Sequence, residues 1–145
     1  MPEEKNAGIL REFFKPEVAS DVEKTLSYYT EDATMTNPYG TFKGKDAIKR
    51  LMTTTYQNMK DITFTETGNG IIVQGNKAFV EQVTSATFQG KKCEFLTMCA
   101  YEFSGDKIKA IRNVYDRLLI AQQVAPWFAK PIVNMIVKQS EKAMK

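Results

Sequence analysis

The stretch YYTEDATMTNPYGTFKG, Tyr28–Gly44, decides how this chain folds. Two tyrosines close an amphipathic segment, Ala33–Asn37 reads as a short strand, Asn37-Pro38 breaks it, and Tyr39-Gly40 turns the chain. A residue before proline is pushed toward extended geometry, and Asn favours turns. Asn37 therefore has a local reason to stand there. Whether it also contacts a ligand stays open at this level, because the two roles are compatible.

Working outward, both flanks are helical. Ile9, Leu10, Phe13 and Phe14 mark one side of a short helix from Glu3 to Phe14, which Pro16 stops. Ser20 begins "SDVE", a capping box with Glu23 reaching back, and opens a second helix with the stripe Val22, Leu26, Tyr29. A third helix, Lys45–Met59, places Ile48, Leu51, Met52, Thr55, Tyr56 and Met59 on one face.

From Ile62 onward the period changes to two. Turn signals fall at "TGNG", "QGNK", "QGKK" and "SGDK", the last three setting Gly75, Gly90 and Gly105 at a constant spacing of 15 residues. Subtracting turns leaves strands of about 12 residues, longer than the usual 5–6. Strands of that length bend or twist around something, and hairpin turns make them antiparallel neighbours. The predicted architecture is α+β, with three helices packed on a strongly curved antiparallel sheet. In "CEFLTMCAYEF" the odd positions from Cys93 to Phe103 carry no charge while Glu94 and Glu102 stand on the even side, so the odd face is inward. Periodicity does not settle the faces of "KAFVEQVTSATF" or "KIKAIRNVYD".

Composition narrows the function classes. A chain of 145 residues, 43% apolar and 26% charged, suits one soluble domain. A net charge of +3 without a block of like charges argues against nucleic-acid binding. The acidic start "MPEEKNAGILREFF" lacks the order of a signal peptide, and no apolar run reaches about 18 residues, so a cytoplasmic protein is the expectation. Cys93 and Cys99 lie six steps apart on one strand, roughly 20 Å, far beyond disulfide reach. With no histidine and two thiols on one strand, neither a metal site nor a cofactor is expected.

The order of elements, with "YYTEDATMTNPYGTFKGKDAI" and "YEFSGDKIKAIRNVYD", resembles the nuclear transport factor two-like superfamily. The nearest branch is the SnoaL-like proteins, relatives of polyketide cyclases, ketosteroid isomerases and limonene epoxide hydrolases. The likeness spans about Ile9 to Val124 and implies a cone, helices and curved sheet enclosing an apolar cavity. It also implies a homodimer through the outer sheet face. The cavity wall would comprise Val80, Gln82, Thr84, Ala86 and Phe88; Thr97, Cys99 and Tyr101; and Ile111, Asn113 and Tyr115. Phe13, Asn37 and parts of the third helix, Tyr56 among them, would complete it.

The same resemblance implies that usual catalytic acids are missing. Where ketosteroid isomerases would keep a general-base Asp and an oxyanion hole of Tyr and protonated Asp, this chain has Asn37, Phe13 and Cys99. An amide has no tunable pKa for proton abstraction. Where the epoxide hydrolases and cyclases would use Arg and Asp on one strand and a last-strand Asp, it has Gln82, Thr84 and Asn113. The expected role is binding of a small, largely apolar molecule by neutral polar groups. The alternative is an isomerase, cyclase or hydrolase using Asp116 as general acid–base, with Asn37 and Tyr115 positioning substrate. Against it, an Asp between a strand and a helix is a favoured N-cap. Cys99 lacks a histidine to activate it and reads as a small apolar core residue. Residues 125–145 form a separate extension, an amphipathic helix after Pro131 with Ile132, Met135 and Ile136 on one side. It is read as covering the cone mouth or docking on a dimer partner, a basic element lying on a membrane being the alternative.

Overall fold

Two-residue hairpin turns build most of the sheet in the computed structural model, which describes residues 1–145. Gly75 and Gly105 take φ of 59° and 61° at the first turn position, as a type II′ turn requires. Gln89 and Gly90 are both left-handed, at 49° and 80°, the pattern of a type I′ turn. Four long strands follow from these turns: β3 Met59–Gln74, β4 Lys77–Phe88, β5 Lys91–Ser104 and β6 Lys107–Val114. The opening stretch supplies β1 Tyr29–Asn37 and β2 Gly40–Lys43, and the sheet order is β2-β1-β6-β5-β4-β3.

Two features of the sheet depart from the sequence expectation. "TGNG" does not turn the chain; β3 runs through it, and Thr67–Gly70 form a bulge between the pairs Glu66↔Gln82 and Ile71↔Val80. Gly68 and Gly70 have φ of 56° and 59° there. Glu81 holds the bulge from the facing strand, its Oε2 accepting from Asn69 N at 3.2 Å. Such a bulge increases local twist and lets a 16-residue strand curl. Second, β1 lies parallel to β6, so one pair in the otherwise antiparallel sheet is parallel. Hairpin signals speak only of sequential neighbours and could not show that pairing.

Five helices accompany the sheet. They are α1 Pro2–Phe13, α2 Val22–Leu26, α3 Lys45–Asn58, α4 Arg117–Val124 and α5 Lys130–Met144. The cap of α2 is Asp21, whose Oδ1 accepts from Lys24 N at 3.0 Å, and not Ser20. Ser20 Oγ instead donates to Pro16 O at 2.9 Å, which spends the hydroxyl one turn earlier. α1 is latched to the β3–β4 turn, where Gly75 N donates to Glu3 Oε1 (3.0 Å) and Asn6 Nδ2 donates to Gly75 O (3.2 Å).

Burial follows parity. On β5 the odd residues Cys93, Phe95, Thr97, Cys99, Tyr101 and Phe103 are all buried. On β4 the buried set is Ala78, Val80, Gln82, Thr84 and Ala86, which resolves the face that periodicity left open. The apolar interior divides in two. The larger cluster gathers around Leu10, Phe13, Tyr29, Ile48, Val80, Cys99, Tyr101 and Ile111. The smaller comprises Ala19, Ile62, Ala86, Cys93 and Phe95. No helix is long and apolar enough to cross a membrane.

Candidate functional site

Between those clusters lies a belt of neutral polar side chains. Along β4, Gln82 and Thr84 stand between Val80 of the larger cluster and Ala86 of the smaller. Along β5, Thr97 stands between Cys99 and Phe95, and along β6 Asn113 stands between Ile111 and Tyr115. Pairing brings them side by side, since Gln82 faces Thr97 and Cys99 faces Asn113. A two-residue period on three adjacent strands makes such a belt continuous.

The belt is only partly satisfied from within. Thr84 Oγ1 and Thr97 Oγ1 are 2.8 Å apart and hydrogen-bond each other. Asn113 Oδ1 is buried without a partner, and so is the Tyr29 hydroxyl in the larger cluster. A buried polar atom left unpaired costs about 1–3 kcal/mol, so such atoms normally find water or a ligand.

The thiol and phenols in and around the belt, neutral at pH 7 by their ordinary values, are raised further. Burial is the main cause for each: it pushes the Cys99 thiol up to about 12 and the Tyr115 hydroxyl up to about 12. It also raises Tyr101 well above the phenol range, with Cys99 and Tyr29 adding to the shift. Tyr29 moves in the same direction by burial, with Tyr56 and Cys99 contributing. The buried polar residues are Asn6, Thr25, Gln82, Thr84 and Thr97, none of them an acid. This set can donate and accept hydrogen bonds, but it offers no general base near neutrality.

Other residues singled out in the sequence take more local roles. Asn37 shares the inward parity of Ala33 and Met35, but its Oδ1 accepts from Tyr39 N at 2.8 Å, closing the turn. Tyr56 shares its hydroxyl with Thr25 Oγ1 at 2.8 Å, and Thr25 Oγ1 donates onward to Val18 O at 2.7 Å. Phe13 is packed among rings, with centroids 5.3 Å from Tyr28, 5.9 Å from Tyr29 and 6.4 Å from Tyr101. Phe13 and Tyr101 thus fill the larger cluster. Asp116 is exposed and caps α4, its Oδ1 accepting from Leu118 N (2.9 Å) and Leu119 N (3.0 Å). Oδ1 of that carboxylate thus serves the backbone amides at the start of α4.

Two contributors were not visible in the sequence. Ile120 and Val124 of α4, with Tyr115, Tyr56, Met59 and Phe64, form a half-buried rim around the smaller cluster. Arg117 Cζ stacks 4.2 Å from the Tyr39 ring centroid, tying the Asn37–Gly40 turn to the start of α4. The helix that borders the rim is therefore α4. α5 packs on α4, and its side chains Ile132, Met135 and Ile136 remain exposed.

Comparison with known proteins fits this geometry. Residues 10–111 match the model of the SnoaL-like domain. The chain belongs to the SnoaL-like domain family and has the nuclear transport factor two-like, ketosteroid isomerase-like fold. An NTF2-like protein of unknown function from Burkholderia pseudomallei superposes with a TM-score of 0.73 at 14% identity, covering 84% of this chain and 98% of that one. PrhC from Penicillium brasilianum gives 0.74 at 13% identity, covering 85% and 87%. A protein of ketosteroid isomerase-like fold from Catenulispora acidiphila, solved in complex with trimethylamine, gives 0.69 at 15% identity, covering 79% and 90%. At those identities the likeness is one of fold. No curated protein matches the sequence.

Proposed function

We propose that the belt holds the polar end of a small, largely apolar molecule, with Asn113 and Gln82 as its hydrogen-bonding partners. Thr84, Thr97 and Cys99 flank that end, and the apolar body lies against Phe95, Tyr115 and Tyr56 beneath the α4 rim. The observation that carries this reading is the buried, unpaired Asn113 Oδ1. An acceptor in that position suits a ligand hydroxyl or N–H. The absence of any buried carboxylate favours neutral recognition over acid–base chemistry, as does the capping role of Asp116.

The test compares matched probes by thermal unfolding. Binding to the folded state raises the melting temperature by mass action. 2-Naphthol, neutral at pH 7, is expected to raise it, and 2-naphthoate is not, since no Lys or Arg is buried with the belt to receive the carboxylate. Asn113→Leu is expected to abolish the 2-naphthol shift while keeping the fold. Equal shifts from both probes, or none from either, would contradict the reading.

Two copies are further proposed to pair through the outer sheet face. Ile72, Phe79, Leu96, Met98 and Val114 are large apolar side chains exposed on that face, and register sets Ile72 beside Phe79 and Met98 beside Val114. Light scattering should report a dimer that Leu96→Glu converts to monomer. A monomeric parent chain would rule the pairing out.

A further inference from the structure

The last helix carries a charge and an apolar face that the domain does not use. Residues 125–145 hold Lys130, Lys138, Lys142 and Lys145 against the single acid Glu141, a net +3. The whole chain is +3, which leaves residues 1–124 at zero. All the excess positive charge is therefore in this tail.

The same tail displays its largest apolar side chains. Trp127 is 84% exposed and Phe128 67%, followed on α5 by Ile132, Met135 and Ile136, all exposed. Val133 and Val137, on the neighbouring helical positions, are half-buried, as expected for the side of α5 that faces α4. An open cleft along α5 is lined by Trp127 and Met135 together with Lys130, Lys138 and Lys142. An indole beside three ammonium groups fits an anionic headgroup above an apolar layer.

We propose that Trp127, Phe128 and α5 dock on the surface of an anionic lipid bilayer. The row Trp127, Phe128, Ile132, Met135 and Ile136 would enter the boundary between headgroups and acyl chains. Lys138 and Lys142 flank that row and extend their ammonium groups to the phosphates above it. A second copy of this chain would bring another tail of the same net +3 against the first, whereas an anionic surface complements it. Neither contact depends on what occupies the polar belt.

Trp127 is the only tryptophan of the chain, so its fluorescence reports the tail directly. The full chain is titrated with vesicles of phosphatidylcholine alone and with vesicles containing about 30% phosphatidylserine. A blue shift confined to the phosphatidylserine vesicles, and quenching there by brominated acyl chains, is expected. Lys138→Glu with Lys142→Glu should weaken the partition by roughly tenfold or more. Phe128→Ser with Ile136→Ser, at positions already exposed, should remove the blue shift while circular dichroism stays unchanged. No shift with either vesicle overturns the proposal. So does a shift that grows with protein concentration without lipid, which would assign the row to a second copy. Co-sedimentation unaffected by Phe128→Ser with Ile136→Ser would also overturn it, leaving only a general attraction to polyanions.

Discussion

Gln123 lays its carboxamide along the backbone of Glu94, accepting from Glu94 N at 2.8 Å and donating to Glu94 O at 2.7 Å. β6 ends at Val114, opposite Met98, so the earlier part of β5 has no strand on that side. One side-chain amide thus substitutes for a ladder partner and covers an edge that would otherwise be open to another chain. Lys91 Nζ adds a bond to Ala125 O at 2.8 Å, fixing the far end of α4.

Gln123→Ala is expected to cost about 1–2 kcal/mol in urea unfolding, as two side chain–backbone bonds are lost and a strand edge is exposed. Hydrogen exchange at the Glu94 amide should accelerate at the same time. Unchanged exchange there would mean that α4 is held without Gln123.

Gly68 in the β3 bulge and Gly75 in the β3–β4 turn are unequally constrained. A Cβ at Gly68 would run into the Glu81 carboxylate, whereas at Gly75 it would meet open space, and both residues have positive φ. Gly75→Ala should therefore cost only the backbone penalty of a side chain at positive φ, about 1–2 kcal/mol. Gly68→Ala should cost more, and Glu81→Ala should recover the excess in a double-mutant cycle. Equal costs at the two positions would show that the bulge yields freely.

Stability should fall at alkaline pH. Burial moves the Cys99 thiol from its ordinary 9.0 up to about 12. Below pH 9 the thiol is protonated in both folded and unfolded chains and contributes no pH dependence. Between about 9 and 12 the unfolded chain releases the proton and the folded chain keeps it, so stability is lost as pH rises, by up to ~1.4 kcal/mol per pH unit. Cys99→Ala should reduce the slope of urea midpoint against pH in that window, leaving the share of Cys93 and of Tyr29, Tyr56, Tyr101 and Tyr115, all raised by burial. An identical slope in the variant would place an accessible thiol at position 99.

Asp116 separates capping from catalysis. Asn caps as well as Asp, and Ala does not. Asp116→Asn should keep the stability of the parent chain and its response to 2-naphthol, while Asp116→Ala should lose about 1 kcal/mol. Loss of probe binding in Asp116→Asn would return that carboxylate to the site.

Much of this was legible because parity on a long strand leaves few choices. Glu94 and Glu102 could not both be buried, so the odd face of β5 had to be inward, and glycines 15 residues apart fixed the hairpins around it. Long-range partners were what the sequence concealed. "TGNG" has the composition of a turn, and only Glu81 on the facing strand shows it to be a bulge. "SDVE" reads as a Ser20 capping box, but the cap is Asp21, because Pro16 O takes the Ser20 hydroxyl. The division between core and belt was likewise hidden. Phe13 and Tyr101 pack in the larger cluster through ring contacts with each other, and Phe13 also with Tyr28 and Tyr29, between elements that periodicity treats separately.

Native mass spectrometry of the chain purified from its own host, wild type beside Asn113→Leu, tests the belt most directly. The account predicts that the wild type retains a neutral, largely apolar molecule which the variant has lost, with circular dichroism the same for both. A wild-type chain carrying nothing, or the same adduct at equal occupancy in both proteins, would contradict it.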